Sequence, residues 1–290
     1  MKEHTYHQHF VSKFYLKNFS YDGKHAYVID RNQGNKIYSC AIEKICFEND
    51  LYEEKWINAN EKLGKYVLDN QIEDMFARVE TRTAPVIQKY IKGINSESKR
   101  ISITHDEKVF LTEFTTLLYL RNPYIMKDIL NSYDGVEDEP EMKALTQETE
   151  HIFSLFQWGS SESLVSFSKK VGIFSEEIDT SPYNIERESL INSSIGFWYS
   201  ELGGFTTASF PLYIIAIKGG NRRVILPISC QLAVVFYEKT DVPIMEGTVL
   251  QLSREIVDEG MKRCFELTPK EMARMFIGSD KDTLEQLIKG

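Results

Sequence analysis

The chain is short of cysteine and has no arrangement of it. Four cysteines occur in 290 residues, at positions 40, 46, 230 and 264, with no Cys-x-x-Cys pair. This argues against a disulfide framework and against a thiolate zinc site. Apolar settings such as Ile45-Cys46-Phe47 predict buried, reduced thiols. Long hydrophobic runs are also missing. The longest, such as Leu212 to Ile217, have strand length, and no window of about 18 apolar residues exists to span a membrane. Met1-Lys2-Glu3-His4 opens without a signal-peptide pattern, so a cytoplasmic protein with no membrane association is expected. Positive charge is in deficit: 34 Lys and Arg face 43 Asp and Glu, for a net charge of −9. Strong nonspecific nucleic-acid binding relies on basic patches and counterion release, and this balance disfavours it. A local basic pocket for a small phosphate-containing ligand, or a surface for a protein partner, stays open.

Catalytic signatures are absent too. No P-loop, Rossmann glycine fingerprint, Gly-x-Ser-x-Gly, kinase set, His-Glu-x-x-His or EF-hand occurs. Gly203-Gly204 and Gly219-Gly220 read as turns, because no helix follows to receive a phosphate. No cofactor is implied. No internal repeat, low-complexity tract or linker interrupts the chain.

What is present is the composition of an ordinary globular protein, 42% hydrophobic and 27% charged. The length allows most apolar surface to be buried. Periodicity predicts a single α+β domain over 1–290, with a helical middle at about 60–175 and a β-rich part at about 195–252. An N-terminal β-hairpin is expected from Ala26 to Ile29 and Lys36 to Cys40, around the turn Asn32-Gln33-Gly34-Asn35. Residues Ile72, Met75, Phe76, Val79, Val86, Ile87 and Tyr90 recur at helical spacing, with Pro85 expected to kink or break the helix. Thr104-His105-Asp106-Glu107 is a capping box, and Pro123 should end its helix near Arg121-Asn122. Asp134 to Glu141 reads as an acidic loop, with two helices after it at about 141–157 and 161–173. Short β-rich runs then follow as a C-terminal antiparallel sheet. Ser253 caps a helix, and Thr268-Pro269-Lys270-Glu271 predicts another, so the chain is expected to end in helices.

Candidate chemistry begins at the start. His7 to Phe19 joins a histidine cluster to an aromatic run with the spacing of a short helix. His7 and His9 are two apart and would share a face on a strand. No matching ligand pair exists elsewhere, so no metal is expected, and His9 alone is the candidate acid or base. Glu73 and Glu80 lie seven apart on one helix face. They could perform acid–base work, or form a solvated face with Arg78 and Arg82. Arg121 ends the apolar run Leu117-Leu118-Tyr119-Leu120, where a buried guanidinium requires a carboxylate. It could pair structurally with Glu80 or Glu73, or form the anion-binding floor of a pocket. Lys218, Arg222 and Arg223 make a small basic patch on a hairpin, best read as a solvated tip.

These pieces together resemble one family. His9 to Phe19 resembles its opening, and Ile29-Asp30-Arg31 its strand ending in Asp-Arg. Ile72-Glu73 to Val79-Glu80 is similar to its paired Ile-Glu helix. Leu120-Arg121-Asn122-Pro123 resembles its Arg-Thr-Pro helix end, and Leu226-Pro227-Ile228-Ser229 its Leu-Pro-Leu-Ser strand. The family is the bacterial domain of unknown function numbered 4238, and the similarity runs in order through nearly the whole chain. Two departures stand out. Ser12 replaces a family proline, and Ser209, within Phe205 to Pro211, replaces a family aspartate. Were that aspartate catalytic, this chain would be impaired or would use another group. The resemblance implies one fold, points to these segments for the site, and implies no reaction.

Two functions are therefore expected. One is a hydrolase of a phosphate-containing or nucleic-acid substrate, with His9, Glu73 and Glu80 catalytic and Arg121, Asp30 and Arg31 binding substrate. The other is a non-catalytic interaction or ligand-binding protein, in which the same residues form a structural polar network.

Overall fold

The computed structural model describes residues 4–52, 70–132, 182–217, 222–238 and 244–289. The expected acidic loop and the helices at 141–157 and 161–173 lie outside these residues, as does most of the expected hairpin tip at 218–221.

The chain opens with strand β1 (His7–His9), not with a helix. Its alternation buries Gln8 and leaves His7 exposed, so the aromatic run becomes helical only at α1 (Lys13–Leu16) and the 3-10 turn after it. The hairpin forms as expected. Strand β2 (His25–Asp30) pairs with β3 (Lys36–Ala41) in register from His25↔Ala41 to Asp30↔Lys36. Gly34 takes the left-handed conformation that closes the turn, at φ 66°. Strand β4 (Phe47–Asn49) returns antiparallel to β1.

Helix α2 (Gln71–Gly93) stays continuous through Pro85. Thr83 Oγ1 donates to the Phe110 carbonyl of α3 (His105–Leu120) and Arg82 pairs with Glu113 before the proline, and Gln88 Nε2 donates to Asn18 Oδ1 after it, so contacts hold both flanks. The Thr104–Glu107 capping box is formed in both directions. Helix α3 ends before Arg121, and α4 (Pro123–Ser132) starts at the proline.

After α5 (Pro182–Ile191) come strands β5 (Ser194–Tyr199), β6 (Thr207–Ala208), β7 (Tyr213–Ala216), β8 (Arg222–Pro227), β9 (Leu232–Tyr237) and β10 (Val249–Gln251). Helix α6 (Arg254–Leu267) is capped by the Ser253 side chain. Strand β11 (Met275–Gly278) and helix α7 (Lys281–Ile288) complete the fold. The expected helix at Thr268-Pro269-Lys270-Glu271 is not there. Pro269 instead starts a tight turn, its carbonyl accepting from Met272 and Ala273, and the chain runs into β11.

Two larger sheets result, in strand order β10-β5-β9-β8-β7 and β3-β2-β11-β6. The C-terminal sheet is antiparallel except at β10, which runs parallel to β5. Gly247 makes that edge possible. Its φ is 79°, and a Cβ there would lie 1.8 Å from the Ile101 carbonyl. One hydrophobic core joins helices and sheets. Tyr90 of α2 packs on Phe197 of β5 at 4.8 Å, and Phe265 of α6 on Phe276 of β11 at 4.9 Å. The α+β architecture is therefore the one the sequence predicts. The thiols are corrected in part: all four cysteines are free, but only Cys46 is fully buried.

Candidate functional site

The centre of the molecule is Arg121. Placed at the end of an apolar helix, its side chain is only 2% exposed. Leaving such a charge unpaired would be costly, and the fold brings acceptors from three separate segments to it. Nη1 donates to Glu80 Oε1 at 2.8 Å, Nε donates to the Tyr52 hydroxyl at 3.2 Å, and Nη2 donates to the His9 backbone carbonyl. The Phe76 ring lies beneath the guanidinium at 4.0 Å. Burial works against the charged form. Tyr52, Glu80 and Glu73 outweigh it and hold the guanidinium pKa above its ordinary value. The same burial pushes the Tyr52 phenol up.

Glu80 is shared. Its Oε1 also accepts from Ser12 Oγ at 2.6 Å, so helix α2 is tied both to the entry of α1 and to the end of α3. Tyr52 is held in turn by Gln8, whose Oε1 accepts from its backbone N–H at 2.7 Å. The sequence singled out His9, Glu73, Glu80 and Arg121; the structure sets the His9 carbonyl and the Glu80 carboxylate on Arg121, and Glu73 near enough to favour its charge. It also adds Gln8, Ser12, Tyr52 and Phe76. Strand alternation in His7-Gln8-His9 was the available signal for Gln8, and nothing local distinguishes Tyr52.

His9 contributes its carbonyl to Arg121, while its imidazole stands against the Phe47 ring at 5.5 Å. His7 stacks edge-on to the same ring at 4.8 Å, as expected for two histidines on one strand face. Burial lowers the His9 pKa from 6.5 to about 4, helped by the cations of Lys13 and Arg121. The imidazole is therefore neutral at pH 7. Its Nε2 is enclosed and finds no hydrogen-bond partner among the described residues.

Asp30 and Arg31 do not join this centre. Asp30 sits at the end of β2, capping the next turn through Asn32 N–H and taking Arg274 Nη2 at 3.1 Å. Burial works to raise its carboxyl, and the bonds from Arg274 and Asn32 hold it below its ordinary value. Arg31 donates Nη1 to the Thr268 carbonyl at 2.8 Å and lies over Phe265 at 5.0 Å. Both fasten β2 to the chain segment entering β11.

Two further joints link the remaining segments that resemble the family. The buried Tyr15 hydroxyl donates to the Pro227 carbonyl at 2.6 Å and meets Thr207 Oγ1 at 2.8 Å, so one side chain bridges β6 and β8 of different sheets. Asn122 donates Nδ2 to the carbonyls of Ser209 and Met272. Ser209 Oγ accepts from Met275 N–H at 3.1 Å. A carboxylate oxygen could accept that bond equally well, so the serine preserves a structural contact.

The segments that resemble the family thus meet one another in the core, and the comparison agrees. A family model described as Protein of unknown function (DUF4238) matches residues 7–259. The chain belongs to this family. The match covers β1 through the first part of α6, and so includes every contact of Arg121 described above. No curated protein and no solved structure matches the DUF4238 chain. Among the described residues, no group of three His, Cys, Asp or Glu is placed to hold a metal ion, and no helix is long and apolar enough to cross a membrane.

Proposed function

We propose that this protein is a non-catalytic interaction or ligand-binding protein of the bacterial cytoplasm, whose His9–Glu80–Arg121 centre is a structural polar network. One observation carries the reading: the Arg121 side chain is 2% exposed, and protein acceptors from three segments occupy its guanidinium. An anion-binding floor needs a cation that substrate can reach. This cation is compensated before any ligand arrives.

A hydrolase of a phosphate-containing or nucleic-acid substrate is the second reading. The unpartnered Nε2 of His9 favours it, together with Glu80, whose side chain is 25% exposed. The imidazole would act as a base with Glu80 orienting it. A pKa of about 4 makes that base weak at neutral pH. Phosphodiester, phosphomonoester and oligonucleotide substrates, assayed with wild type, His9→Gln and Glu80→Gln, separate the two. The structural reading predicts no turnover in any of them. Turnover by wild type that is lost in a His9→Gln protein of native fold would overturn it.

A further inference from the structure

The family match stops at residue 259, yet a strand that closes the sheet β3-β2-β11-β6 lies beyond it. Strand β11 sits between β2 and β6 and runs antiparallel to both. Its register sets Met275 opposite Asp30, and Phe276 between Ile29 and Ala208. Among the described residues, β2 and β6 are joined within the sheet only through β11. The Asp30–Arg274 pair spans 244 positions of sequence, so nothing local brings this strand to its place. Phe276, Ile277 and, on α7, Leu284 are fully buried there.

Four polar residues line the seat of this segment. Arg31 donates its backbone N–H to the Arg274 carbonyl at 3.0 Å and its Nη1 to the Thr268 carbonyl at 2.8 Å. Ser209 and Met275 exchange two bonds: the Ser209 N–H donates to the Met275 carbonyl at 2.8 Å, and the Met275 N–H donates to Ser209 Oγ at 3.1 Å. Asn122 Nδ2 donates to the Met272 carbonyl at 3.0 Å. These three hold main chain, the mode by which an extended segment is captured whatever its side chains. Asp30 adds a side chain to read, the Arg274 guanidinium at 3.1 Å. All four residues stand in segments that resemble the family, and all four converge on residues 268–275, which the match does not reach.

We propose that β2, β6, Asp30, Arg31, Asn122 and Ser209 form a strand-acceptor site, and that residues 268–288 are its obligate intramolecular ligand. The segment that matches the family is then an incomplete domain. Without β11, two strand edges would stand open and the apolar side chains of Val28, Ile29 and Ala208 would lose their cover. The site also has a tie to the rest of the core. Thr207, opposite Ile277, meets the Tyr15 hydroxyl that reaches Pro227 of β8. The inference holds whether the Arg121 centre is structural or catalytic, because the two clusters share no residue.

The test uses the full chain with a specific protease site inserted between Lys270 and Glu271, both exposed in the turn before β11. After cleavage, the piece from Glu271 onward should stay bound in size-exclusion chromatography and leave only as the whole molecule unfolds. Exchange of that piece against a labelled peptide of residues 271–289 gives its rate of departure. Asp30→Asn and Asn122→Ala should each raise this rate about tenfold or more. The proposal is overturned if the piece leaves while the remainder keeps its circular dichroism and melting temperature, or if neither substitution changes the rate. Should the inserted site itself prevent folding, hydrogen exchange of the unaltered chain decides. Amides of Phe276 to Gly278 should exchange in the slowest class, together with those of Val28 and Ile29. Exchange in β11 about a hundredfold or more faster than in β2 would mark an appended element and overturn the proposal.

Discussion

Arg121 Nη1 and Glu80 Oε1 meet at 2.8 Å with the arginine sealed and the glutamate a quarter exposed. The pair joins the end of α3 to the middle of α2, and the same carboxylate oxygen receives Ser12 at the entry to α1. Removing the cation would leave Glu80, Tyr52 and the His9 carbonyl without their donor. Arg121→Met is expected to cost about 3–5 kcal/mol in urea unfolding, and Arg121→Lys less, since the charge is kept although a point charge cannot serve three acceptors in a plane. A loss under about 1 kcal/mol in both would contradict a structural role.

Tyr15→Phe removes one hydroxyl from a joint between two sheets. Thr207 Oγ1 and the Pro227 carbonyl lose their shared partner in the interior, at an expected cost of about 1–3 kcal/mol. Chemical denaturation measures this directly, and a neutral result would show that the joint is not needed.

His9 gives the stability a pH dependence. Its pKa falls from 6.5 in the unfolded chain to about 4 in the folded one, so between those values the unfolded state binds more protons. Its contribution should be complete above about pH 6.5 and lost progressively as pH falls towards 4. His9→Gln should flatten that part of the thermal-stability profile. An unchanged slope would assign the acid sensitivity to other groups.

Gly247→Ala should be among the most damaging small substitutions. The backbone is left-handed there at φ 79°, and the new Cβ would fall 1.8 Å from the Ile101 carbonyl. The chain must move, disturbing the Gly247–Ile195 and Ile101–Gly247 bonds that seat β10. A loss of about 3 kcal/mol or more is expected by thermal unfolding. A near-native melting temperature would mean that the edge relaxes freely.

Asp30→Asn tests the residue that the sequence offered for substrate binding. Because its carboxylate is held below its ordinary pKa by Arg274 and Asn32, the amide should reduce stability at neutral pH and lose that effect in acid. Any ligand response should be unchanged. A ligand defect with stability intact would return Asp30 to the site.

The hairpin, the capping box and the helix break at Pro123 were legible because each follows from neighbours within a few residues. A Gly in a turn, a Thr three places before a Glu, and a proline that cannot continue a helix act locally. The opening was legible in part: its aromatic run is helical from Lys13, but the partner that makes His7–His9 a strand is Phe47–Asn49, some 40 residues away. Pro269 was misread for the same reason. It is a good first residue of a helix and an equally good first residue of the turn that delivers β11 to β2 and β6.

The site divides along the same line. An arginine at the end of an apolar run already demands a carboxylate, and Glu80 and Glu73 were the candidates on the neighbouring helix. The sequence by itself determined that Arg121 would be buried and paired, because the cost of an uncompensated charge is independent of fold. Tertiary structure alone decided that Tyr52 and the His9 carbonyl complete its shell, that Asp30 and Arg31 fasten a different corner, and that Arg222 pairs with Glu186 and Glu238 while Arg223 lies over Tyr237. Those outcomes depend on how distant segments pack and, in the sheets, on strand register, which is fixed only when distant strands meet.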